Sequence, residues 1–170
     1  MALLPIVTYP EDLLKKPTEP VRAYDDALIS LIRDMGETMY AAPGLGLAAN
    51  QVGVSQRMFV YDIHWREGRR KLLTVVNPEI IHKEGEVVEE EGCLSLPEYH
   101  EFVKRAEKVI VRGYDQNERE VKIEAEGLMA RVIQHEIDHL DGKLLIDRLS
   151  GLKRQLFLRK MKKREKSQTG

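Results

Sequence analysis

The sequence has a single cysteine and no long hydrophobic run, and each absence excludes a class of protein. Because Cys93 is alone, no intrachain disulfide can form, which indicates a reducing compartment. No segment approaches the roughly 18 consecutive apolar residues that cross a bilayer, so we expect no association with a membrane. The N-terminus lacks a basic start, a long apolar stretch and a small-residue cleavage site, so we expect no secretory signal and a cytoplasmic location.

Charge is distributed unevenly along the chain. The whole sequence carries 27 basic and 28 acidic residues, a net charge of −1. Eight basic residues and one acid lie in 151–170, which leaves 19 basic and 27 acidic residues in 1–150. The body is therefore acidic and the tail basic, and such a tail is either a solvated helix face or a contact for a polyanion such as RNA.

The length and the helical patterns favour one domain. With 170 residues, of which 42% are hydrophobic and 32% charged, the chain can bury one core. We expect a body at 1–150, which carries the candidate site, and a basic helix at 151–170 of the same domain. Helical spacing predicts helices over 24–41, over 127–140 and from about residue 150, the last with an apolar stripe of Leu152, Leu156 and Phe157.

Short segments rich in β-branched and aromatic residues predict strands between these helices. The segments are RMFVYDI, KLLTVVNP, GEVVEE, KVIVRGYD and REVKIEAE. We therefore expect an α+β fold, in which mostly antiparallel sheets pack around a central helix, 127–140, and a further helix lies at the C-terminus.

Residues 134–140, QHEIDHL, place His135, Glu136 and His139 in the order H-E-x-x-H. On a helix, this spacing puts both imidazoles on one face, one turn apart, where they can bind a divalent metal. A tetrahedral site needs at least a third protein ligand, and catalytic sites keep the fourth position open.

The third ligands of the common zinc proteases are missing after this motif. The arrangement H-E-x-x-H-x-x-G-x-x-H would require a ligand at Leu145, and the remaining acids, Asp147 and Glu165, are poorly placed. Upstream, Cys93 in EGCLSLP is the leading candidate, although a free cysteine is about as often a small buried hydrophobe. We therefore infer a site of one thiolate and two imidazoles.

Three segments together resemble the signature motifs of one family, peptide deformylase. They are GLGLAANQ at 44–51, EGCLSLP at 91–97 and QHEIDHLDG at 134–142. The resemblance covers nearly the whole chain and implies a metal-dependent hydrolase that removes the N-formyl group from the initiator N-formylmethionine of nascent polypeptides, releasing formate. It also implies that Cys93, His135 and His139 hold one divalent metal, with Fe(II) as the native ion and Zn, Ni or Co as alternatives.

The resemblance also assigns catalytic roles. Glu136 would take a proton from the attacking water and pass it to the leaving amine. The side-chain amide of Gln51 and the backbone N–H of Leu94 would form the oxyanion hole. Glu91 and Arg105 are either an ion pair that braces the Cys93 loop or an incidental surface pair.

For the substrate, the resemblance implies an extended peptide lying along exposed backbone. This backbone would be Gly44, Leu45 and Gly46. Leu45 and His135 would line an apolar methionine pocket with Leu128 and Val132, unless the last two are ordinary core residues. Two positions depart from the pattern of some relatives, namely Arg131, at an apolar helix position, and His100, where an arginine stands near the peptide.

The basic C-terminal helix resembles a ribosome anchor near the exit tunnel. The residues do not indicate an oligomeric state.

Two other classes compete with the deformylase interpretation: a metalloprotease, which would cut internal peptide bonds, and a binding module with a structural metal. Structural zinc sites use four protein ligands, and only three are well placed here, which favours catalysis. The acidic body disfavours a protein devoted to RNA binding.

Overall fold

The computed structural model describes residues 2–169, with the side chains of residues 2–164. Within this range the chain forms three α-helices and seven strands. In chain order these are α1 (Asp26–Ala41), β1 (Gly46–Ala48), β2 (Met58–Tyr61), β3 (Leu73–Glu84), β4 (Val87–Cys93), β5 (Leu96–Arg105), β6 (Lys108–Tyr114), β7 (Glu120–Glu126), α2 (Gly127–Leu140) and α3 (Gly151–Thr169).

The strands form two antiparallel sheets. Five strands pair in the order β1-β2-β3-β6-β7, and β4 pairs with β5 in a separate two-stranded sheet. In the larger sheet β1 is an edge strand, with Gly46 opposite Tyr61 and Ala48 opposite Phe59. The prediction of an α+β fold with mostly antiparallel sheets is confirmed.

Helix α2 packs against the larger sheet. Its apolar face, with Ile133, Ile137 and Leu140, packs against buried residues of β2 and β6 such as Phe59 and Val111. The bounds of α2, 127–140, are those expected from the sequence. Its opposite face is polar, and this face carries the H-E-x-x-H motif toward β1 and the end of β4.

Helix α1 forms a second core with β1 and β2. It begins at an N-cap, Asp25, whose side chain accepts a hydrogen bond from the N–H of Leu28 at 3.1 Å. Met35 and Met39 on its inner face are fully buried against Leu47 and Met58. This packing fixes the position of the loop between α1 and β1, which belongs to the candidate site.

The apolar stripe predicted for α3 is only partly correct. Phe157 is 2% exposed and makes edge contacts with Tyr9 and Tyr99, but Leu152 and Leu156 are 69% and 55% exposed. Met161, one turn after Phe157, also packs against this core. Among the described side chains of α3, the apolar contacts with the body therefore come from one narrow face of the helix. The basic residue at 166 and the acid at 165 lie outside the described side chains.

Two strands were not predicted. Strand β1 has only three residues, and β5 pairs with β4 and exposes Glu98, His100, Phe102 and Lys104 at alternate positions. No helix within the described range is long and apolar enough to cross a membrane. The division of the domain at residue 150 stays a prediction.

Candidate metal centre and active site

Three potential metal ligands converge between α2 and the end of β4. The Nε2 atoms of His135 and His139 are 3.1 Å apart, and the Sγ of Cys93 is 3.2 Å from the Nε2 of His139. All three donor atoms lie within 4.8 Å of one another. Tetrahedral bonds of about 2.0–2.3 Å would place such donors roughly 3.3–3.6 Å apart. A divalent cation therefore fits this cluster after small side-chain movements.

Glu91 orients the first histidine of the motif. Its Oε1 lies 3.1 Å from the Nδ1 of His135, which directs the Nε2 of the same ring toward Cys93 and His139. Arg105 donates to both oxygens of Glu91, from Nε at 2.8 Å and from Nη2 at 2.9 Å. A carboxylate behind a ligand histidine is a common support for metal sites. The ion pair considered from the sequence is present and is part of the site.

Arg105 also links the site to two residues that sequence reasoning missed. Its Nη1 donates to Asp138 at 2.7 Å, and Arg148 donates to the same carboxylate at 3.0 and 2.5 Å. Arg105 and Asp138 are buried, with 5% and 7% exposure. A charged residue next to His139 on a helix gave no signal of this burial, because the partner arginines come from β5 and from the turn after α2.

Charges within the cluster support metal binding. Burial opposes ionisation of Cys93, but His139 and His135 lower the pKa of its thiol well below the ordinary value. Burial likewise disfavours the cationic form of His135, but Cys93 and Glu91 raise its pKa well above the ordinary value. Glu91 is buried too, yet His135 and Arg105 lower its pKa to about 2. The cluster thus holds negative charge that a cation can neutralise in place of a proton.

Glu136 lies beside the three candidate ligands but is not part of their cluster. It is 4% exposed, and its Oε1 has no hydrogen-bond partner among the described residues. Burial raises the pKa of this carboxyl, and the thiol of Cys93 adds to the effect, while the two histidines lower it. A buried carboxylate with an unused oxygen is available to exchange a proton with a bound molecule.

Gln51 faces the thiol from the other side. Its Nε2 donates to the Oγ of Ser95 at 3.1 Å and is 3.7 Å from the Sγ of Cys93, while its Oε1 accepts from the N–H of Ala48 at 3.0 Å. Ser95, which sequence reasoning did not single out, is fully buried and donates its hydroxyl to the carbonyl of Val7 at 2.7 Å. The side chain of Gln51 is therefore held with its amide toward the ligand cluster.

Comparisons with known proteins show the family of the chain. A sequence model of the family described as polypeptide deformylase matches residues 3–155. The peptide deformylase of Syntrophobacter fumaroxidans is 50% identical over 169 residues, 99% of each chain, and that of Thermodesulfovibrio yellowstonii is 54% identical over 162 residues, 95% of this chain and 98% of its own. The chain belongs to the polypeptide deformylase family.

Solved deformylases share the fold. The peptide deformylase of Legionella pneumophila has a TM-score of 0.90 at 45% identity and covers 99% of this chain and 98% of its own. The Ehrlichia chaffeensis enzyme in complex with actinonin has a TM-score of 0.88 at 40% identity, covering 97% of this chain and 99% of its own. Family membership confirms the predicted function, metal-dependent hydrolysis of the N-formyl group of N-formylmethionyl polypeptides with release of formate.

The backbone proposed to bind the peptide lies next to this cluster. Gly44 approaches Leu94, since a Cβ on Gly44 would be 3.0 Å from the Leu94 Cδ1. Leu45 accepts a hydrogen bond from the N–H of Asp62 at 2.9 Å. Because hydrogen-bonded pairs alternate in an antiparallel ladder, the N–H and C=O of the next residue, Gly46, face the open edge of the sheet.

The structure places the two predicted pocket residues of α2 at different depths. Leu128 is 42% exposed in the first turn, and Val132, one turn later, is partly buried against the central core. His135 continues the same face. Arg131 is partly buried, and His100 lies opposite Gly92 in the β4–β5 ladder, its ring against the Gly92 backbone.

Proposed function

We propose that Cys93, His135 and His139 bind the catalytic metal and that Glu136, Gln51 and Leu94 act on the formyl group. The observation that carries this proposal is the convergence of three donor atoms beside a buried carboxylate with an unpartnered oxygen. When bound there, a divalent cation supplies Lewis-acid chemistry, because it polarises a carbonyl oxygen and lowers the pKa of a water.

Glu136 moves the proton in this proposal. Water must lose a proton as it attacks the formyl carbon, and the methionine nitrogen must gain one as it leaves. A carboxyl whose pKa burial raises can accept the first proton and release it in the second step. Its buried Oε1 has no hydrogen-bond partner among the described residues, which supports this role.

Gln51 and Leu94 stabilise the negative oxygen that develops on the formyl group. The Gln51 amide faces the ligand cluster, and it is fixed in advance by its hydrogen bonds to Ser95 and Ala48. Leu94 follows Cys93 directly in the chain, and its backbone N–H is the second donor in this proposal. Donors held in place before the reaction need little reorganisation, and each is typically worth about 3 kcal/mol.

The peptide binds as an extra strand at the edge of the larger sheet, along Gly44, Leu45 and Gly46. Support comes from the edge position of β1 and from the outward N–H and C=O of Gly46. Main-chain hydrogen bonds tolerate many side chains, as an enzyme for nearly all nascent chains requires. Leu128 and Val132 line the methionine pocket together with Leu45 and His135.

Fe(II) is the proposed native metal, with Zn, Ni or Co as alternatives for the same ligands. One thiolate and two imidazoles admit all of these ions. The enzyme works in the cytoplasm, where new polypeptides emerge and where Cys93 stays reduced. The basic helix α3 contacts the ribosome through phosphate electrostatics. Its exposed residues include Arg159, Lys160, Lys162 and Lys163.

Formate release from a formyl-Met tripeptide tests the proposal. The protein is purified without oxygen, and bound metal is quantified in the same sample. We expect turnover of the formylated peptide, no cleavage of its internal peptide bonds and about one metal per chain. A protein that holds the metal but cleaves internal bonds and ignores the formyl group would instead be a metalloprotease.

A further inference from the structure

One short connection holds the backbone at the open edge of the sheet. The loop between β2 and β3 donates hydrogen bonds to three consecutive carbonyl groups in front of β1. Arg66 donates to Pro43 at 2.9 Å, the indole N–H of Trp65 to Gly44 at 2.9 Å, and the N–H of Asp62 to Leu45 at 2.9 Å. We name Asp62, Trp65 and Arg66 the edge clamp.

The edge clamp is itself fixed to helix α1. The hydroxyl of Tyr40 donates to the Oδ2 of Asp62 at 2.6 Å, and the rings of Tyr40 and Trp65 meet edge to face at 5.3 Å. The guanidinium of Arg70 lies 3.9 Å from the centroid of the Tyr40 ring. The N–H of Lys71 donates to the same oxygen of Asp62 at 2.7 Å. Asp62 and Trp65 are therefore held against α1 through Tyr40.

The clamped carbonyls belong to the stretch that leads into Gly46, whose outward N–H and C=O are proposed to bind the peptide. Gly44 is in contact range of Leu94, and Gly46 is in contact range of Glu136. A shift of this backbone would move the outward groups of Gly46 relative to the ligand cluster. The N–H of Gly44 donates to the carbonyl of Met39 at 2.7 Å and its carbonyl accepts from Trp65, so Gly44 shapes this edge while Gly46 offers the outward groups.

We propose that Trp65, the only tryptophan of the chain, is a positioning residue that holds the edge of β1 in the geometry that binds the formylated peptide. This inference rests on the proposed role of Gly44, Leu45 and Gly46 in peptide binding. Trp65 does not touch the ligand cluster. Its effect therefore falls on peptide binding, while the chemistry at the ligands continues.

The variant Trp65→Phe separates the hydrogen bond from the packing. Phenylalanine keeps an aromatic ring against Tyr40 but cannot donate to Gly44. For a formyl-Met tripeptide we expect KM to rise about three- to ten-fold, the effect of losing one hydrogen bond. We expect kcat to stay within about two-fold and bound metal to stay unchanged, since Trp65 contacts neither Glu136 nor the three candidate ligands. Arg66→Met, which keeps an aliphatic stem over Trp65, removes the neighbouring bond and should raise KM less.

Amide hydrogen exchange of the segment 43–48, measured by mass spectrometry on the metal-loaded protein without peptide, provides a readout besides activity. Exchange should be faster in Trp65→Phe than in the wild type. His64→Gln is the matched control, because His64 lies in the same loop, is 59% exposed and contacts Glu67 instead of the strand. Its KM and exchange should equal those of the wild type.

Unchanged KM and exchange in both clamp variants would overturn the proposal. A fall in kcat or a loss of metal at unchanged KM would also overturn it, because the bond would then act through the catalytic centre. If the wild type itself releases no formate, the proposed function fails, and the exchange comparison alone still decides whether Trp65 holds the edge.

Discussion

Gly46 packs directly against the carboxylate of Glu136. A Cβ on Gly46 would lie 2.7 Å from the Oε2 of Glu136 and 3.0 Å from its Cδ. These distances are shorter than a methyl group allows, and Glu136 is buried, so the carboxylate would have to move. Glycine at this position therefore sets the location of the proposed proton carrier.

The substitution Gly46→Ala should lower kcat without removing the metal. A displacement of about 1 Å in a catalytic group can cost roughly 100-fold in rate, so we expect a fall of about ten- to 100-fold. The measurements are formate release and metal content of the same sample. Gly151→Ala is the control, since a Cβ there meets no atom within 4 Å among the described residues. A Gly46→Ala enzyme with wild-type kcat would contradict this prediction, because it would show that displacing Glu136 does not slow the reaction.

The buried arginine behind the proposed metal ligands should be essential for stability. Arg105→Met leaves Glu91 and Asp138 without their shared cation, and breaking a buried pair typically costs about 3–5 kcal/mol. Urea unfolding of the metal-loaded protein measures this loss. Arg112→Met is the matched control in the neighbouring strand, because the Arg112 side chain is 51% exposed and its pair with Glu79 is 3.4 Å long. We expect it to change stability by less than about 1 kcal/mol.

Two adjacent residues of α3 should differ sharply in their effect on folding. Phe157→Ala removes a buried ring from contact with Tyr9 and Tyr99 and should lower the free energy of unfolding by about 3–5 kcal/mol. Leu156→Ala, at a position 55% exposed, should change it by less than about 0.5 kcal/mol. Equal effects in thermal or urea unfolding would contradict the packing of α3.

Ribosome contact is best tested by neutralising charge. Deleting the chain from Lys153 would also remove Phe157 from the core, so loss of binding could reflect unfolding. The fourfold variant Arg159→Gln, Lys160→Gln, Lys162→Gln and Lys163→Gln keeps the packing. We expect weaker ribosome binding with a shallower salt dependence and unchanged hydrolysis of a short formyl peptide. Unchanged ribosome affinity in a sedimentation assay would exclude the role of these charges.

The sequence pointed to Cys93, His135 and His139, which the structure brings together, and their role as metal ligands stays a prediction. The i, i+4 spacing of His135 and His139 lies within one helix and is visible in the sequence. Elimination of other third ligands left Cys93 as the leading candidate. The roles of Gln51 and Leu94 came from the family resemblance. No spacing rule links Gln51 to Cys93 across 42 residues of chain.

The parts that were missed depend on contacts between distant elements. In the sequence, Asp138 resembles a solvent-exposed helix position. In the structure it pairs with Arg105 from β5 and with Arg148 from the turn after α2. Strand β5 itself escaped prediction because exposed charges interrupt its apolar residues. The apolar stripe of α3 was too wide, since exposed leucines and the buried Phe157 look alike in sequence. Each of these features depends on packing between distant elements and produces no periodic pattern in the sequence.

The most direct test of the account compares metal content and formate release in Cys93→Ser and Glu136→Gln, both purified without oxygen beside the wild type. Cys93 is proposed as a ligand, so Cys93→Ser should lose most of the metal and the activity. Glu136 is proposed as the proton carrier, so Glu136→Gln should keep about one metal per chain and lose nearly all turnover. A Cys93→Ser protein with full metal, or a Glu136→Gln protein that still releases formate at the wild-type rate, would contradict the assignment.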